Sequence, residues 1–87
     1  MKHPKKVEKY SGNLAELAMD IGGMSYDSLA EFLGYLGDDL SRQAKADRAR
    51  GRPKLASELE ASAVKTYEAR QRIINAWKIS EPHMRKE

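Results

Sequence analysis

Asp38, Asp39, Asp47, Glu58 and Glu60 crowd the middle of this 87-residue chain. Carboxylates gathered from facing helices can hold divalent cations, but this spacing does not suit that chemistry. Helical dinuclear sites want Glu-x-x-His steps, and the only histidines, His3 and His83, lie near the two ends. Ala61 stands three residues after Glu58, and neighbours such as Asp38 and Asp39 point about 100° apart on a helix. With no cysteine, disulfides, thiolate metal sites and cysteine nucleophiles are excluded together. Gly22-Gly23 lacks the Gly-Lys-Ser/Thr of a phosphate loop, and no Gly-x-Ser-x-Gly elbow occurs. The expectation is therefore a non-catalytic chain with no metal site and no cofactor. Its acids would form solvated helix faces, with Asp38 and Asp39 paired to Arg70 or Arg72.

Cations offer the stronger pattern. Between Arg42 and Lys54 six residues are basic (Arg42, Lys45, Arg48, Arg50, Arg52 and Lys54) against the single acid Asp47. Closely spaced Lys and Arg are the electrostatic footprint of phosphate-backbone binding. No aromatic lies among them to stack a base, and the all-polar turn is unlike that of a helix-turn-helix. Solvation, or pairing with an acidic neighbour, is the simpler reading. Charge is laid out unevenly: +3 over residues 1–10, −6 over 11–40, +5 over 41–54 and +1 over 55–87.

The elements that position these groups read as helical. Leu14, Leu17, Ala18 and Ile21 mark one face of a short helix over 13–22, with Asn13 and Glu16 forming a capping box and Gly22-Gly23 ending it. A helix that short needs something to dock on. Leu29, Phe32, Leu33, Leu36, Leu40 and Ala44 draw an apolar stripe along a second helix over 28–50, opened by the capping-box form Ser28-x-x-Glu31, with Ser25 or Asp27 as other caps. Gly34 and Gly37 interrupt its composition. They either make room for a bulky neighbour, or Gly37 ends one helix and Asp38 or Asp39 caps the next. Continuity is expected, because Leu33, Leu36 and Leu40 stay in phase across them.

Gly51-Arg52-Pro53 is the turn, with Gly after one helix and Pro at the first position of the next. A third helix runs over 53–80, with Pro82 as its stop. Folding about this turn predicts that Leu40 meets Ala63, Leu36 meets Tyr67, Leu29 meets Ile74, and Tyr26 packs near Trp77. The short helix would fill the splay at the base of the pair.

The fold expected is thus all-α: a long antiparallel helical hairpin with a short N-terminal helix, forming a helical bundle by self-association. It is one helical domain over 13–82, flanked by a flexible basic tail over 1–12 and a flexible tail over 83–87. No apolar run suits a membrane span or signal peptide, and a cytoplasmic setting is expected. Apolar residues on the third helix exceed one stripe, which calls for a partner. A homodimer is expected through Leu33, Leu36, Leu40, Leu59, Ala63, Tyr67 and Ile74. An antiparallel arrangement would set the basic tip of one copy near the acidic 16–39 region of the other. The function expected is an interaction, regulatory or scaffolding protein, with a nucleic-acid-binding accessory protein acting through the basic tip as the alternative.

Overall fold

A computed structural model of the chain describes residues 3–84, Met84 by its backbone alone. The described residues are all-helical, 79% of them in three helices, with no strand among them. These are α1 (Leu14–Gly22), α2 (Tyr26–Ala49) and α3 (Pro53–Met84).

Helix α1 starts at the capping box read from the sequence. Asn13 Oδ1 accepts from the Glu16 backbone N–H at 2.8 Å, and Glu16 Oε1 accepts from the Asn13 N–H at 2.9 Å. Gly23 closes it, donating to the Met19 and Ile21 carbonyls.

Helix α2 begins at Tyr26, two residues before the expected Ser28. Asp27 supplies the reason: one carboxylate oxygen accepts from the Ser28 N–H at 2.9 Å and from the Ser25 hydroxyl at 2.6 Å. An acid in the first turn also meets the positive end of the helix dipole. The helix then passes through Gly34 and Gly37 unbroken.

At its far end the chain turns through a Schellman motif. Arg52 N–H donates to the Asp47 carbonyl at 2.9 Å and Gly51 N–H to the Arg48 carbonyl at 3.1 Å. Gly51 takes φ +77°, where a side chain would be strained. Pro53 opens α3, as its missing N–H and fixed φ permit.

Pro82 does not end α3, which continues through His83 to Met84. So close to the end, its ring removes a single hydrogen bond, to the Lys78 carbonyl, and too few turns follow for a kink to matter. Of the expected tails, residues 1, 2 and 85–87 lie outside the described residues.

Helices α2 and α3 run along one another in opposite directions. Gly34 faces Arg70, Gly37 faces Tyr67, and Arg48 reaches Glu60, so position falls on one helix as it rises on the other. Their seam is made of small residues. Ala30, Gly34, Gly37 and Ala44 are buried on α2, and Ala56 and Ala63 on α3.

The Tyr67 ring lies against Gly37, one residue along from the expected partner Leu36, in the notch that the glycine leaves. Leu29, Leu33, Leu36 and Leu40 are rotated about 60–120° from the seam onto one flank. There Leu29, Leu33 and Leu40 are half-buried, and Leu36 is 40% exposed.

Helix α1 adds little burial. Leu17 and Ile21 are half-buried, Leu14 and Met19 are exposed, and none of its residues is buried. The filling role expected of it is not matched by any buried side chain in α1. The Tyr10 hydroxyl donates to the Asp20 carboxylate, tying the preceding segment to α1.

The molecule is long and thin, 53 × 29 × 14 Å across its Cα atoms. Its radius of gyration of 15.8 Å compares with about 12 Å for a compact domain of this length. No large side chain is fully buried among the described residues.

Candidate functional site

Two surfaces carry the residues singled out from the sequence: the basic end of the α2–α3 pair and the leucine flank of α2. At the basic end, side chains are partly neutralised within the chain. Arg42 pairs with Asp39 at 2.9 Å, one turn back on α2. Arg48 crosses to Glu60 of α3 at 2.8 Å. Arg52 and Arg50 lie 3.4 and 4.0 Å from Asp47.

Asp47 is the one buried charged residue among those described, 9% exposed at the foot of the turn. Its backbone carbonyl accepts from Arg50 and Arg52, so the same residue organises the turn through its main chain and its guanidiniums through its side chain. The Arg42 guanidinium, with the Gln43 amide second, holds the Asp39 carboxyl below its ordinary value. Lys45 and Lys54 have no ion-pair partner among the described residues.

Arg42, Arg50 and Arg52 converge with Gln43, Ala46, Asp47 and Leu55 around a groove of about 600 Å³. His3 completes its lining. Reading the sequence missed that residue, because no periodicity or cap in residues 1–12 says where the segment goes. The structure thus brings His3 and the basic turn to one end of the molecule.

Residues expected on a self-association face fall into two groups. Ala63 is buried inside the α2–α3 seam, so it faces α2 and is closed to a second copy. Tyr67 is half-buried, packs on Gly37 and donates its hydroxyl to Asp38. That hydrogen bond, then burial, then the Asp38 charge raise the Tyr67 phenol above 10.0. Ile74 is half-buried beside Ala30 and Trp77, in a groove of about 300 Å³ rimmed by Asp27, Glu31 and Arg70. Leu33, Leu36, Leu40 and Leu59 are only half-buried or exposed. Tyr26, expected to pack with Trp77, is 40% exposed.

The carboxylates are spent separately. Asp38 accepts from Tyr67 and Asp39 from Arg42, in place of the expected Arg70 and Arg72. Arg70 instead lies over the Tyr67 ring, 5.9 Å from its centroid. Among the described residues no three of His, Cys, Asp and Glu gather where they would share a metal ion. No described helix is long and apolar enough to cross a membrane.

Compared with known proteins, the sequence matches no family model, no curated protein and no solved structure.

Proposed function

We propose that this chain is a non-catalytic helical interaction module, with regulatory or scaffolding duty, that completes its core by pairing with a second copy through the leucine flank. The observation that carries this reading is surface area. A 9.8 kDa chain folded compactly would expose about 5,200 Å², whereas this one exposes 7105 Å². The excess of about 1,900 Å² is more than twice the roughly 800 Å² that a standard interface takes from each partner. Domains bury their apolar faces between at least two layers, and here no large side chain is fully buried among the described residues.

Leu33, Leu36, Leu40 and Leu59 are the contacts proposed for this surface, joined by Leu29. Two such pairs laid face to face make a four-helix bundle. Ala63, Tyr67 and Ile74 would serve it from within, holding α2 and α3 together. Charge favours an antiparallel pairing. The parallel one sets two basic ends side by side, while the antiparallel one sets each near the acids Glu16, Asp20, Asp27 and Glu31 of the other copy.

Folding and association would then be coupled, and stability would depend on concentration. Thermal melts followed by circular dichroism test this directly. The melting temperature should rise by several degrees between about 5 and 500 μM chain, and Leu36→Glu should abolish that rise. A melting temperature independent of concentration in the native chain would overturn the reading.

A further inference from the structure

We infer that the groove at the basic end is a binding site for a phosphate-bearing anion, built jointly by the turn and the N-terminal segment. This does not depend on self-association. Two stretches far apart in sequence meet there, through His3 on one side and the arginines of the turn on the other. His3 lines the groove with Arg42, Arg50 and Arg52, and Lys5 and Lys6 follow His3 by two and three residues. Lys45 and Lys54, which have no ion-pair partner among the described residues, flank the same turn.

The internal ion pairs do not exhaust the donors. A guanidinium carries five N–H groups. Arg42 commits its Nε and one terminal nitrogen to Asp39, and Arg52 approaches Asp47 through one terminal nitrogen. The three side chains stay more than half exposed, at 67, 56 and 61%, and are free to reorient toward a ligand. Among the described residues Asp47 is the only acid in the lining. Being 9% exposed, it lies beneath the guanidiniums and orients them without filling the space between them.

Phosphate suits the geometry better than carboxylate. Its tetrahedral oxygens can each take N–H groups from separate guanidiniums, and multiple charges reward a cluster over a single pair. The lack of an aromatic between Arg42 and Lys54 means that phosphate, not base, is what the site reads.

The full chain tests this at about 50 mM salt, by calorimetry with inorganic tripolyphosphate and by fluorescence anisotropy with a labelled 20-nucleotide single strand. Binding to tripolyphosphate should be measurable below about 1 mM. Arg42→Gln with Arg50→Gln should weaken it at least ~10-fold, and Lys5→Gln with Lys6→Gln at least ~3-fold. The same charge loss elsewhere, Lys65→Gln with Lys78→Gln, should change it less than ~2-fold. Should the arginine variants unfold, Lys45→Gln with Lys54→Gln removes no internal ion pair and should still weaken binding ~3-fold or more.

The two probes identify the source of the phosphate. An oligonucleotide that binds more tightly than tripolyphosphate, with a log–log salt slope steeper than about −2, makes it a nucleic-acid backbone. Equal or weaker binding of the strand makes it a small polyphosphorylated ligand. No binding of either probe at 1 mM, or equal losses in the tip and control variants, would overturn the assignment.

Discussion

Changing Gly37 to Ala separates two opposing effects inside one helix. On an exposed α2 surface this change would stabilise by about 1 kcal/mol, because glycine is the poorer helix former. At Gly37 the added methyl would lie 2.7 Å from Tyr67 Cε1 and 3.0 Å from Cδ1 and Cζ, closer than carbon atoms approach. The ring must tilt away or the helices must separate, an overpacking cost of about 1–3 kcal/mol. Either movement also strains the Tyr67–Asp38 hydrogen bond. The expected net effect is a loss of about 1–2 kcal/mol. Gly34→Ala meets only the flexible end of Arg70, at 3.1 and 3.2 Å, and should be neutral within about 0.5 kcal/mol. Gly22→Ala meets nothing within 4 Å and should steady α1 locally by about 0.5–1 kcal/mol, slowing hydrogen exchange over residues 14–22 without moving the global midpoint. Urea unfolding at one fixed concentration, followed at 222 nm, reads the Gly37 and Gly34 variants as shifts in midpoint of up to about 1–2 M. In a Tyr67→Ala background, Gly37→Ala should turn from destabilising to stabilising. A stabilised single Gly37→Ala variant would refute the packing of Tyr67 on Gly37.

Tyr67 also sets an alkaline limit. Its raised pKa means that the protonated phenol is favoured in the folded state, so its contribution is complete below pH 10.0 and is lost as pH climbs through the higher folded value. Absorbance titration at 295 nm should show Tyr67, and likewise Tyr10, ionising above the ordinary range, and Tyr67→Phe should make the alkaline decline in stability shallower. A single titration at the ordinary value for all four tyrosines would contradict this. Asn13→Ala removes the α1 capping box, a local cost of about 1 kcal/mol. Because no α1 residue is buried, hydrogen exchange should speed up over residues 14–22 while α2, α3 and the global unfolding midpoint stay unchanged; a shifted midpoint would show α1 to be part of the core.

The helices were legible because their signals are local. Asn13 with Glu16, and Gly51 with Pro53, act through backbone bonds within four residues, and no distant partner can override them cheaply. The seam was less legible. A stripe of leucines looks like a core-facing stripe, yet the helices meet through Ala30, Gly34, Gly37 and Ala44, because small residues allow the closer approach and leave a notch for Tyr67. The signal was present: positions 30, 34, 37 and 44 keep the four-three spacing of a packed seam, with Ser41 completing it. The boundary at Tyr26 hinged on Asp27 binding the Ser28 N–H, a geometry that sequence alone leaves open among several polar neighbours. The groove at the basic end was hidden for a different reason. Its turn half was plain from the run of arginines, but His3 arrives by tertiary placement, which no local pattern in residues 1–12 encodes.

Sedimentation equilibrium over about 5–500 μM chain tests the proposed pairing most directly, because it reads mass rather than shape. The elongated outline would mislead a size-exclusion column. The expected result is a weight-average mass climbing toward about twice the chain's 9.8 kDa, and returning to the single-chain value with Leu36→Glu. A mass that stays at 9.8 kDa across the whole range would contradict the pairing and leave the leucine flank of α2 without its proposed cover.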